Sequence, residues 1–463
     1  MIKLSVTWVL LFTGILLLLG GPILGNSVIG ELMESYGSYS SDRVVVSITK
    51  DAAKDGSNLF TMKDLERLAE QPGIGETAAE AESAGMVKYG DKTAPAVICG
   101  VTYDYAAFID LDFINGSFIS KSDEAEANQT AVIGEELALE LFGTLNATGN
   151  RIEIYGRTFT VIGVVKKDNS ILGVLTDSED HRVYIPAGVL LESDNTAGIT
   201  SIRTRTQGEE LLGRNEDIVS NALNTIGKNS SKYIVEDYGS KTFYLRQKIL
   251  LAVFIPGSIL ILTLAVLLKK LVKKLITEIS SGLKTDYLSN MLKTKKKLLL
   301  SYSVRIVVLA AGMLAVWYGI KFRFFIPQSY IPGDLTDLSF YLDLTKGLIR
   351  HNNSMTGYLP PFEEILLGKA REMLDWIFYS SVLAGISLTY IGLYQLKMKN
   401  TGLSTTALAS TLIVAAGAAI SSLAAVLSGM PLFLGTKGLL VLYAFVFINS
   451  ILISKERDEV FKC

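Results

Sequence analysis

Residues 131–165 read AVIGEELALELFGTLNATGNRIEIYGRTFTVIGVV, and this stretch decides the fold class of the wet part of the chain. An apolar run over 130–133 predicts a short buried strand. Gly134 then opens a helix, EELALELF, and Gly143 stops it, as glycine commonly does just past a helix end. Two further strands follow, over 151–155 and 158–165. The two residues Gly156 and Arg157 between them suit a tight hairpin. Val161, Ile162, Val164 and Val165 suit a strand packed on both faces. Strand, helix and hairpin in this order give an α+β domain.

The same alternation extends outward. RVVVSIT at 43–49 reads as a buried strand, and Ala96 to Val101 is another apolar run. Thr61 begins a helix, TMKDLERLAEQPG, with Asp64 placed to complete a capping box and Pro72-Gly73 ending it. The elements fill residues 26–247, long enough to bury a core of their own.

Beyond this domain the composition changes. The 463 residues are 49% hydrophobic and 19% charged, with a mean hydropathy of +0.35, so the charges must be segregated from the apolar runs. Six apolar stretches of membrane-spanning length stand out: 4–24, 249–268, 298–320, 376–396, 405–427 and 438–453. The first is longer than the core of a usual secretory signal and lacks a small-x-small cleavage site, so it reads as an uncleaved anchor. Pro256 and Gly257 within the second are tolerable in lipid if neighbouring helices satisfy the freed carbonyls.

Orientation follows from residues 269–297, where nine lysines stand against Glu278 and Asp286, a net of +7. By the positive-inside rule this segment faces the cytoplasm. Counting outward, both termini and residues 397–404 are cytoplasmic, whereas 26–247 and 321–375 are extracytoplasmic. The expected divisions are an anchor over 1–25, an outer domain and stalk over 26–247, a helix pair with its connection over 248–320, an outer loop over 321–375, a fourth span over 376–396 and an additional hairpin with its tail over 397–463. Cys99 and Cys463 then lie on opposite sides of the membrane, which precludes a bridge within one chain. The net charge of −2 supplies no global field for nucleic acid.

At residues 131–165 the order and spacing of AVIGEELA, LFG, GNRIEI, Gly156 and FTVIGVV resemble the MacB-type periplasmic core domain. Gly100-Val101 with Asp104-Tyr105, Gly116 before Phe118, and VYIP at 183–186 extend the likeness over roughly residues 40–240. The chain therefore resembles the permease subunit of an ABC transporter of the MacB and FtsX kind: a polytopic α-helical membrane protein with a large α+β extracytoplasmic domain. The resemblance implies a separate ABC ATPase that carries the ATP and Mg²⁺, a homo- or heterodimer of permeases, and export or extraction of a peptide, lipid or lipoprotein-like substrate. It equally allows an FtsX-like regulator that activates an extracellular cell-wall hydrolase, an accessory partner, without transport. The long loop 321–375 and the final hairpin depart from the family.

In the connection, Glu278, Ile279, Leu283, Lys284 and Tyr287 resemble the cytoplasmic segment through which such permeases meet their ATPase, although Ser280 stands where the family has its first glycine and the later arginine is missing. Ile276, Ile279, Leu283 and Tyr287 recur at helical spacing and form a candidate apolar ridge. No phosphate-cradling loop is legible in the chain; Gly227-Lys228-Asn229 lacks both the leading glycine and the hydroxyl. No catalytic motif, cofactor site or metal site is expected. Ser47-Ile-Thr-Lys50 and Ser193-Asp-Asn195 resemble two motifs of serine β-lactamases, but Ser47 and Lys50 fall on a predicted strand, where they point opposite ways. His181 and His351 have no metal-ligand spacing.

Overall fold

The computed structural model describes residues 6–37, 42–53, 56–109, 111–176, 181–207, 213–285, 287, 295–326, 331–334, 336–354, 361–398 and 402–460. They divide into two compact units. One comprises Met1–Val28, Leu245–Phe324 and Glu372–Cys463, and the other Ile29–Tyr244 with Phe325–Arg371.

The second unit is built on a ten-stranded sheet in the order β10-β1-β9-β2-β3-β8-β5-β7-β4, with β6 pairing β2 and β7. The strands are β1 (Arg43–Ile48), β2 (Ile74–Tyr89), β3 (Lys92–Val101), β4 (Phe113–Gly116), β5 (Thr130–Gly134), β6 (Arg151–Ile154), β7 (Arg157–Val165), β8 (His181–Pro186), β9 (Ile199–Thr206) and β10 (Tyr233–Asp237). Most pairings are antiparallel, but β3 with β8 and β5 with β7 run parallel. Val44, Val46, Ile98, Ile133, Leu137, Leu141, Phe159 and Ile202 meet in one continuous apolar core.

The predicted elements of this unit form where the sequence places them. The helix Met62–Ala69 carries a capping box, in which the Thr61 hydroxyl accepts from the Asp64 amide and the Asp64 carboxylate accepts from the Thr61 amide. Glu135–Phe142 is helical, and Gly143 takes φ +68° behind it. The hairpin differs by one residue from the expectation. Its loop is Tyr155-Gly156, both at positive φ (51° and 74°), and Arg157 already pairs with Ile154. A two-residue loop that follows the twist of its strands needs positive φ at both positions. Tyr155 is held there as its hydroxyl donates to the Ala84 carbonyl at 3.1 Å.

Among the described residues, six helices are long and apolar enough to cross a membrane: Val6–Ser35, Tyr238–Leu283, Lys296–Ile320, Phe362–Met398, Ser404–Leu427 and Thr436–Ile453. They correspond one for one to the six predicted stretches. Three of them run well past their apolar cores, since nothing in residues 25–35, 238–248 or 362–375 breaks a helix. Residues 362–375, expected as the end of a loop, are thus the opening turns of the fourth spanning helix. That helix contains a π-helical turn, Ser380–Gly385. Leu11, Ile15, Leu18, Leu260, Leu264, Val316, Leu393, Leu442 and Phe445 form the buried centre of this unit.

Candidate functional site

The helix that follows β10 starts at Tyr238 and continues to Thr285 without a break. At 1.5 Å per residue it is about 72 Å long. Its last turns hold the predicted ridge: Ile276 is 59% and Leu283 48% exposed, and Ile279 is half-buried. Lys269, Lys270, Lys273 and Lys274 surround the ridge in solvent. Glu278 is engaged within the chain, with its carboxylate 3.0 Å from the Lys295 ammonium. A partly exposed pair of this kind contributes at most about 1 kcal/mol, so Glu278 can exchange partners. Tyr287 lies beyond the helix end and is 85% exposed, so it does not continue the helical ridge. The side chain of Lys284 and all of Asp286 lie outside the described residues.

A second constellation, in the sheet unit, was not legible in the sequence. Arg43 on β1, Arg203 on β9 and Glu363 on the fourth spanning helix are fully buried, and Glu80 on β2 nearly so. Arg203 donates to Glu363 through Nε at 2.6 Å and Nη2 at 3.1 Å, and to Glu80 through Nη1 at 2.7 Å. Arg43 reaches Glu363 at 3.4 Å and donates to the carbonyls of Tyr36 and Phe108. The Tyr105 hydroxyl donates to the second Glu80 oxygen at 2.7 Å. Aromatic faces cover the cations, with Tyr105 4.7 Å from Arg203 and Tyr36 5.1 Å from Arg43.

Two guanidiniums and two carboxylates balance in charge, which is what allows such burial. Burial pushes the Glu363 carboxyl up, but Arg203 and then Arg43 outweigh it and hold the group below its ordinary value. Burial pulls the Arg43 guanidinium down to about 10, with Glu363 opposing. The signal available in the sequence was an arginine at the centre of ITSIRTRT, a β9 strand flanked on both sides by other strands. A charge pointing inward there requires a counter-charge, but its partner stands 160 positions away.

Glu80, Glu82 and Cys99 bring ligand-type atoms within 4.8 Å of one another. The Glu80 oxygens are already engaged by Arg203 and Tyr105, and burial pushes the Cys99 thiol far above its ordinary value. A neutral thiol beside an occupied carboxylate makes a poor metal site. His181 is paired with Glu140 at 2.7 Å.

Among the described residues the chain has six helices long and apolar enough to cross a membrane and a large mixed sheet, and residues 12–217 match the family model of the MacB-like periplasmic core domain. Over that stretch the chain is similar to ABC transporter permeases of the MacB and YknZ type. It is 22% identical over 215 residues to the uncharacterized ABC transporter permease YknZ of Bacillus subtilis, covering 46% of this chain and 49% of that one. It is 27% identical over 156 residues to the pyoverdine export ATP-binding/permease protein PvdT of Pseudomonas aeruginosa, covering 34% and 23% respectively. With the macrolide export ATP-binding/permease protein MacB of Neisseria gonorrhoeae it shares 25% identity over 153 residues, covering 32% and 24%. The match therefore spans half or less of these relatives. Among solved structures, the extracellular domain of YknZ matches at 18% identity with a TM-score of 0.36, over 42% of this chain and 100% of that one. The periplasmic region of MacB from Actinobacillus actinomycetemcomitans matches at 18% identity with a TM-score of 0.37, over 45% and 94%.

Proposed function

We propose that the chain is the membrane subunit of an ABC transporter that exports or extracts a peptide, lipid or lipoprotein-like substrate, with ATP and Mg²⁺ bound on a separate ATPase subunit. The observation that carries this reading is the unbroken helix from Tyr238 to Thr285, which joins strand β10 directly to the basic segment. A helix transmits displacement along its axis. An ATPase that closes on its amphipathic end acts on the same helix that leaves strand β10.

The docking surface is the face bearing Ile276, Ile279 and Leu283, with the lysines around it. An apolar ridge with a basic rim fits a groove on a partner in the helix-in-groove mode. Replacing both Ile279→Asp and Leu283→Asp introduces two buried charges at such an interface, each a penalty of several kcal/mol. Loss of ATPase co-purification from a correctly inserted, monodisperse mutant is expected. Retained binding would place the contact elsewhere.

Orientation is tested separately. In a chain lacking other cysteines, Lys284→Cys is expected to be protected from an impermeant thiol reagent in intact cells, whereas Asp168→Cys is labelled. The opposite pattern would invert the topology and with it the docking surface.

A further inference from the structure

The third spanning helix, Lys296–Ile320, contains an arginine in its apolar run, and Arg305 is exposed on the outside of the unit. Its neighbours are apolar and equally exposed, with Val304 at 52%, Val307 at 65% and Val308 at 63%. Among the described residues no carboxylate or carbonyl takes its guanidinium. An ionised side chain in hydrocarbon is unfavourable, which makes it a site until its partner is found.

Within its apolar stretches a second copy of this chain offers no carboxylate as that partner. None of the six apolar stretches, 4–24, 249–268, 298–320, 376–396, 405–427 and 438–453, contains an aspartate or glutamate. The geometry offers another source of negative charge. Side chains on a helix lean toward its amino terminus, so Arg305 reaches back toward Lys296 and Lys297. Ser301 lies one turn and Lys297 two turns before it, the latter about 12 Å away along the axis, and both are exposed. Residues at i and i+4 are neighbours on a helix face, so Lys297, Ser301 and Arg305 form one polar stripe descending into an apolar surface.

We propose that this stripe binds the phosphate of an anionic phospholipid. The guanidinium of Arg305 donates two hydrogen bonds to the non-bridging oxygens, the Ser301 hydroxyl donates a third, and the Lys297 ammonium adds charge. The acyl chains lie along Val304 and Val308. The leaflet involved is the cytoplasmic one, and only that detail rests on the topology proposed above.

The test uses the full chain purified in a neutral detergent and titrated with phosphatidylglycerol or phosphatidylcholine of matched acyl chains, with bound lipid counted by native mass spectrometry. Wild type is expected to hold phosphatidylglycerol about tenfold more tightly, because both lipids offer the same phosphate oxygens but the trimethylammonium of phosphatidylcholine cancels the net charge and is repelled by Lys297 and Arg305. Arg305→Ala should abolish the preference, Arg305→Lys should keep part of it, and Arg323→Ala, near the other end of the helix, should leave it intact. Equal binding of the two lipids by wild type, or a preference that survives Arg305→Ala, overturns the proposal. Displacement of phosphatidylglycerol by millimolar inorganic phosphate would also overturn it, by assigning the stripe to free phosphate. Detergent micelles have no sides, so a wrong topology would leave this result unchanged and would only move the lipid to the other leaflet.

Discussion

Glu363→Ala is expected to lower the stability of the sheet unit by about 3–5 kcal/mol, the effect of removing one partner from a buried ion pair. The carboxylate accepts hydrogen bonds from both Arg43 and Arg203. Without it, two desolvated guanidiniums face Glu80 alone. Glu363→Gln keeps the shape and loses the charge, so it should destabilise nearly as much, whereas adding Arg203→Met to Glu363→Ala should recover part of the loss by removing an unpaired cation. Hydrogen exchange of β1 and β9 in the full chain reads the effect at its source. Unchanged protection in both single variants would mean that the cluster carries no stability.

The pH dependence has a defined sign. Glu363 has a folded-state pKa held below its ordinary value of 4.5. Its contribution is therefore fully present above that ordinary value and is lost as the pH falls through the lower folded value. Wild type and Glu363→Gln should accordingly converge in stability on acidification well below pH 4.5.

Local order was legible in the sequence wherever one residue type enforces it. Gly143 at positive φ, the capping box of Thr61 and Asp64, and the apolar run of β7 each follow from residues within a few positions. Helix limits were less legible, because an apolar run marks what lies in lipid and not where the hydrogen-bonding ladder stops. Residues 25–35 and 362–375 are polar enough to leave the membrane and still lack a helix breaker. The charge cluster was illegible for a different reason. Glu363 and Glu364 read as favourable acidic residues in a first helical turn, and only the tertiary fold brings Glu363 to two arginines from distant strands. For the proposed coupling surface, the sequence placed Ile279 and Leu283 on a helix, and Tyr287 lies beyond that helix's end.

Gly392→Val is expected to destabilise the membrane unit by about 3 kcal/mol, the upper end for overpacking, because the atoms in the way are backbone. A Cβ at Gly392 would stand 2.8 Å from Leu11 Cα, and one at Gly385 2.9 Å from the Leu18 nitrogen. From the opposite side, Gly14 leaves no room against Thr389 and would bring a Cβ within 2.8 Å of the Leu388 carbonyl carbon. The contacts descend in opposite directions along the two chains, Leu11 with Gly392, Gly14 with Thr389, Leu18 with Gly385. The first and fourth spanning helices thus cross antiparallel with their backbones nearly touching. Small residues permit this approach where lipid offers no hydrophobic drive for association. The π-helical turn lies within the same crossing, where the Ser381 hydroxyl donates to the Leu18 carbonyl at 3.2 Å. Gly312→Val is the matched control, since a side chain there meets open space. In detergent, the monodisperse fraction and apparent Tm should fall for Gly14→Val and Gly392→Val and hold for Gly312→Val; equal behaviour of the three would refute a close-packed crossing.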